Sequence, residues 1–182
     1  MFEALLKLLA CELERAGIPY MVIGGQAVQL YGEPRLTRDI DLTLGLGSDG
    51  LDRVVAVCGR CDLKPLPADP PEFVRETMVL PALEERSGIR VDFVFSSTDY
   101  ERQAIGRSIP VELGGVSVRF AAAEDVVIHK LVAGRPRDVE DVRSIVAKNP
   151  GLDRGYIEQW LGGFDRALDR DLTSSFRRLL ES

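Results

Sequence analysis

Asp39 and Asp41 stand two residues apart in the alternating run Asp39-Ile40-Asp41-Leu42-Thr43-Leu44. Successive side chains of a strand point to opposite faces, so both carboxylates project from one face about 7 Å apart, near enough to hold one cation or to reach two neighbouring ones. Such a pair is a hard-oxygen platform; a solvent-facing strand with acids on its wet side would carry it too. Asp92 is a third acid, inside the otherwise apolar run Ile89-Arg90-Val91-Asp92-Phe93-Val94-Phe95. With Val91, Phe93 and Phe95 on one face, Asp92 shares the other with Arg90 and Val94. A carboxylate is unusual there unless it pairs with a metal or with a charge such as Arg90. Upstream, Gly24-Gly25 follows the apolar run Tyr20-Met21-Val22-Ile23. Two glycines at a strand-to-helix turn expose backbone N–H groups and a helix N-terminus where a phosphate can sit, and the same pair also serves a plain tight turn.

These residues need elements to position them. Leu5, Leu6, Leu8, Leu9 and Leu13 recur at helical spacing from Phe2 to Ala16, with Gly17 as a stop. The order is then strand at 20–23, Gly-Gly, helix over 26–31 and a polar loop over 33–38, which leads into the Asp39–Leu44 strand. Ser48 is placed to cap a helix running to about Cys58. The stretch 61–71 contains four prolines and reads as irregular. Residues 73–86 read as a helix broken at Pro81, and 89–95 as a strong strand. Thr98-Asp99-Tyr100-Glu101 is a capping box opening a helix to about Gly106. Residues 109–113 and 116–120, joined through Gly114-Gly115, form a hairpin. From Ala122 onward strands vanish, and helices are expected over 122–133, 137–148, 153–161 and 165–180. The fold class is therefore α/β (α+β): a mixed central sheet flanked by helices over residues 1–120, and a helical segment over 121–182 that completes the cleft.

A chain of 182 residues that is 45% hydrophobic suits a soluble globular domain, or one domain with an appendage. Its 23 Lys and Arg against 29 Asp and Glu leave a net charge of −6. That is the opposite of a general nucleic-acid-binding surface, so a nucleic-acid partner needs a local basic patch. No run approaches the roughly 20 apolar residues of a membrane span, and no signal sequence opens the chain, so the expectation is a cytoplasmic protein without a membrane partner. Cys58 and Cys61 have the spacing of a zinc half-site or redox pair. No second pair follows, and His129 is the single histidine. Reduced cysteines without a catalytic role are expected.

The string Ile23-Gly24-Gly25-Gln26-Ala27, followed by Gly32-Glu33-Pro34-Arg35-Leu36-Thr37-Arg38-Asp39-Ile40-Asp41-Leu42, resembles the nucleotidyltransferase signature of the DNA polymerase β superfamily. There a Gly-Gly or Gly-Ser turn precedes a D-h-[DE]-h strand (h, hydrophobic) by about a dozen residues. The form G-x-x-R-x-T-x-D-I-D is similar to minimal nucleotidyltransferases related to the AbiEii toxins of bacterial toxin–antitoxin and phage-defence systems. Glu124 to Val142, with Lys130 and the segment Arg137-Asp138-Val139-Glu140-Asp141, is similar to that group's downstream lysine helix and R-D-x-x-D stretch.

The resemblance implies a transfer in which Asp39, Asp41 and Asp92 hold two Mg²⁺ or Mn²⁺ ions and an acceptor hydroxyl attacks the α-phosphorus of a nucleoside triphosphate, releasing pyrophosphate. It also implies that Gly24 and Gly25 cradle the triphosphate and that Lys130 adds a charge at its β/γ end. A lysine on a mostly apolar helix also commonly snorkels to water. Arg35 and Arg38 flank the strand and suit a phosphate, an acceptor or plain solvent. An Arg137–Asp141 pair is available as a structural brace, the favoured reading for Asp141, or as a reader of substrate, and His129 is expected to pack rather than react. The acceptor stays open among tRNA, a protein and an aminoglycoside-like small molecule, as does a cognate antitoxin. A non-catalytic nucleotide- or partner-binding module is the reading from another class, and the presence of all three acids argues against it.

Overall fold

Strict alternation builds the centre of the molecule. In the computed structural model, which describes residues 2–34, 36–96 and 98–181, the chain runs α1 (Phe2–Arg15), β1 (Tyr20–Ile23), α2 (Gly24–Tyr31), β2 (Asp39–Leu44), a short 3₁₀ turn (Ser48–Gly50), α3 (Leu51–Arg60), β3 (Leu63–Pro65), α4 (Pro70–Thr77), β4 (Val79–Glu84), β5 (Ile89–Phe95), α5 (Asp99–Gly106), β6 (Ile109–Leu113), β7 (Val116–Phe120), α6 (Ala123–Ala133), α7 (Pro136–Lys148), α8 (Arg154–Leu168) and α9 (Leu172–Leu180). The strands form one seven-stranded sheet in the order β3-β4-β5-β2-β1-β7-β6. β2 with β5 and β1 with β7 are parallel, and the remaining pairs are antiparallel. This is the mixed α/β architecture the sequence predicts.

Two compact units divide the chain: Met1–Gly25 with Thr37–Ala121, and Gln26–Leu36 with Ala122–Ser182. The first contains the sheet. Its core takes Leu9, Leu13, Ile18, Met21, Ile40, Leu42, Leu44, Phe93 and Phe95, all essentially inaccessible. Burying each such side chain contributes about 1.5–3 kcal/mol. In α1 the buried positions Leu5, Leu6, Leu9, Ala10 and Leu13 form one stripe, and the helix packs on β7 and α3. In the second unit α6 packs on α7, α8 and α9. The end of α2 is tied to α7 there: Asn149 Nδ2 donates to Tyr31 O at 2.7 Å and Lys148 Nζ to Gly32 O at 3.1 Å.

Several expectations shift, each for a local reason. Residues 73–86 are not a helix broken at proline. Asp69 caps α4 through the Glu72 N–H, Met78 ends it in the left-handed region (φ 58°), and Pro81 then sits inside β4. Pro81 is tolerated because its ring nitrogen faces the side where β3 has stopped: Leu66 N donates to Pro81 O, while Pro81 stands opposite Asp92 as a non-hydrogen-bonded pair. The proline-rich stretch contains β3, which pairs with β4. Ser48 caps no helix; α3 starts after Gly50 without a side-chain cap. α8 runs through Gly162-Gly163 to Leu168, and Asp171 caps a shorter α9. α2 begins at Gly24 itself. The capping box at Thr98 and Glu101 and the hairpin through Gly114-Gly115 form as predicted. Among the described residues no helix is long and apolar enough to cross a membrane.

Candidate active site

β2 and β5 lie side by side and parallel, and their register pairs Asp39 with Arg90, Asp41 with Asp92 and Thr43 with Val94. Lateral partners in neighbouring strands point to the same face, so the sheet gathers Asp39, Asp41, Arg90 and Asp92 into one patch. The opposite face takes Ile40, Leu42, Val91 and Phe93, all buried. β5 alternates as the sequence implies, with Asp92 half-buried on the polar side.

The Gly-Gly turn has a specific task in this patch. Ile23, the last residue of β1, pairs with Asp41, and the chain turns at Gly24 with φ +68°. A Cβ built on Gly24 would lie 1.9 Å from Asp41 Oδ2 and 2.7 Å from its Cγ. The bare α-carbon therefore makes room for the Asp41 carboxylate, and its left-handed backbone suits glycine. The turn and the acid strand form one construction.

Each flanking acid has its own partner. Thr37 Oγ1 donates to Asp39 Oδ1 at 2.7 Å, a bond that the Thr-x-Asp spacing makes available on an extended chain. Arg90 Nε donates to Asp92 Oδ1 at 2.7 Å. The Arg90 pKa is raised above its ordinary value, first by that hydrogen bond and further by the fields of Asp92, Asp39 and Asp41, against a smaller opposing effect of burial. Among the described residues no group of three or more His, Cys, Asp or Glu side chains is arranged to hold a metal ion. In residue type alone the set suits a hard divalent cation: three carboxylates on one face, two of them lateral neighbours. Arg38 is exposed next to the strand. Arg35, expected near phosphate or acceptor, lies outside the described residues.

Lys130 belongs to the second unit and is only 5% exposed. Its Nζ meets Asp138 Oδ1 at 2.8 Å and Asp141 Oδ2 at 2.9 Å, and Arg135 Nε reaches Asp138 Oδ2 at 2.7 Å. Burial would raise the Asp138 pKa, but the hydrogen bonds from Arg135 and Lys130 outweigh it and hold the carboxyl below its usual range. Asp141 is thus bound to Lys130, a partnership that the sequence reading, with Arg137 in view, did not find.

The chain's residues 2–150 match a family model described as a nucleotidyltransferase of unknown function (DUF6036). The chain belongs to this nucleotidyltransferase family. No curated protein matches it. Solved nucleotidyltransferase structures share the fold. An antigenic nucleotidyltransferase-like protein from Paracoccidioides brasiliensis is 16% identical with a TM-score of 0.59, over 96% of this chain and 91% of that one. ANT(2")-Ia in complex with adenylyl-2"-tobramycin is 16% identical with a TM-score of 0.59, over 97% of each chain. The lincosamide antibiotic adenylyltransferase LnuA, lincomycin-bound, is 15% identical with a TM-score of 0.51, over 73% of this chain and 89% of that one. At such identities the likeness shows the fold alone. Within this nucleotidyltransferase the Cys58 and Cys61 thiols are buried, and burial pushes them up to about 12 and about 11, which suits inert thiols.

Proposed function

We propose that this nucleotidyltransferase moves a nucleoside monophosphate from a nucleoside triphosphate to an acceptor hydroxyl, with Asp39, Asp41 and Asp92 holding two Mg²⁺ or Mn²⁺ ions. The observation that carries the reading is the Asp41–Asp92 register next to Gly24. When bound, the cations neutralise the triphosphate and lower the pKa of the attacking hydroxyl. The chain's own residues do the rest. In this reading Asp92 is the carboxylate nearest the acceptor hydroxyl and is suited to take its proton. Gly24 and Gly25 offer N–H groups at the start of α2, and Arg38, with Arg35, supplies positive charge for phosphate. Lys130 is read as a buried brace of its helices. Equal losses of triphosphate and monophosphate affinity in Lys130→Ala would support the brace; a loss confined to the triphosphate would return Lys130 to the phosphates.

The acceptor falls into two classes. The resemblance to AbiEii-type enzymes favours a tRNA or protein acceptor and a role as a toxin with a cognate antitoxin. The net charge of −6 and the antibiotic-modifying enzymes among its structural neighbours favour a cationic small molecule. One experiment addresses both: incubation with each labelled nucleoside triphosphate and Mg²⁺, together with total RNA, lysate protein or a panel of aminoglycosides. Transfer that disappears in EDTA and falls by roughly two to four orders of magnitude in Asp41→Asn is expected. Full turnover in EDTA would refute the cation reading.

A further inference from the structure

Arg90 is the unusual member of the patch. A cation site built of three carboxylates gains nothing from a resident guanidinium, yet Arg90 is placed laterally to Asp39 and bonded at 2.7 Å to Asp92, the lateral partner of Asp41. The exposures of the pair are unequal: the Arg90 side chain is 52% exposed and that of Asp92 20%. The arginine can swing into water on its long stem, whereas the carboxylate stays in the sheet face. Without a cation, three carboxylates on one face repel one another, and the Arg90 guanidinium is a charge beside them that offsets this.

We propose that Arg90 is a displaceable counter-ion of the carboxylate patch, occupying Asp92 until a divalent cation takes its place and thereby setting the affinity for that cation. The proposal rests on the reading of Asp39, Asp41 and Asp92 as a cation site. Arg90 holds Asp92 Oδ1 through a charge-assisted bond, so a cation drawing on this carboxylate competes with the guanidinium for its charge. Arg90 is then a positioning residue: it keeps the acids together when the site is empty and weakens the binding of a lone ion. A freed guanidinium at the rim is also available to the phosphates that arrive with the cation, which ties ion binding to nucleotide binding.

The test is calorimetric titration of the full chain with Mn²⁺ in the absence of nucleotide, comparing wild type, Arg90→Gln, Arg90→Lys and Asp41→Asn. Removing the competing positive charge beside the carboxylates should tighten Mn²⁺ binding by roughly ten- to thirtyfold in Arg90→Gln. Arg90→Lys, which keeps the charge but loses the directed Nε bond, should fall between wild type and Arg90→Gln. In EDTA, Arg90→Gln should melt below wild type and recover on addition of Mn²⁺. Unchanged or weaker Mn²⁺ binding in Arg90→Gln, with wild type binding and Asp41→Asn not, would overturn the counter-ion role and leave the cation site standing. Mn²⁺ binding that Asp41→Asn does not alter would instead refute the site itself.

Discussion

The Gly24 α-carbon and the Asp41 carboxylate occupy adjoining space, and that contact makes a sharp prediction. Gly24→Ala places a methyl group within 1.9 Å of Asp41 Oδ2 and forces alanine to φ +68°. The backbone strain costs about 1–2 kcal/mol, and the carboxylate must rotate away. Divalent-cation binding should therefore weaken at least about tenfold, against a loss of only a few degrees in melting temperature, as calorimetry and a thermal scan on one preparation would show. Normal cation affinity in a destabilised Gly24→Ala would mean that the turn is merely a turn. At this scale the sequence was most legible where a period of two governs: Asp39, Asp41 and Asp92 fall on the face their spacing implies. The register that sets Asp41 beside Asp92 was not legible, because pairing between strands some fifty positions apart leaves no trace in either strand. The Thr37–Asp39 bond was hidden differently, since the signature string contains Thr37 without showing what it holds.

At the scale of elements, the α6–α7 pair is organised by charge as well as by apolar packing. Lys130 on α6 and Asp138 and Asp141 on α7 are nearly inaccessible, with Arg135 closing the cluster from the surface. Lys130→Met leaves two buried carboxylates without their shared cation and should cost about 3–5 kcal/mol in urea unfolding. Lys130→Met combined with Asp138→Asn and Asp141→Asn should recover part of that loss. The acid sensitivity has a definite sign. Asp138 is depressed in the folded state, so its contribution is present above the ordinary carboxylate value near pH 4 and is lost as pH falls through the lower folded value. Unfolding free energies measured between about pH 5 and pH 2 should show this decline in wild type and a smaller one in Asp138→Asn. If the two decline equally, Asp138 is not the group responsible. The Asp138–Asp141 spacing marks one helix face, but Lys130 reaches it across a turn. Sequence separation alone therefore could not show which cation the face meets. β4 was hidden for a related reason: a proline inside a strand is readable only when the neighbouring strand is known to end beside it.

For the whole molecule, the net charge of −6 should act on any acceptor from a distance. A polyanion gains no counter-ion release from a surface of the same sign, so bulk RNA should show no association by fluorescence anisotropy at about 0.15 M salt. A cationic small acceptor should show a KM that rises with ionic strength. Micromolar RNA binding with a steep salt dependence would require a local basic patch and would favour the tRNA reading.

The two borders of the sheet, β3 and β6, each contain one proline, Pro65 and Pro110. Pro65 stands opposite Ala82, next to the Leu66–Pro81 bond, and Pro110 opposite Arg119, within the register set by the Gly114-Gly115 hairpin. Alternation of the ladder turns the ring nitrogen of both prolines away from the sheet, so β3 lacks an outward donor at its end and β6 one near its start. A second chain seeking to extend the sheet finds its hydrogen-bond ladder interrupted on both sides. The fold thus has a built-in resistance to edge-to-edge aggregation, and a crowded solution should favour separate molecules over stacked sheets.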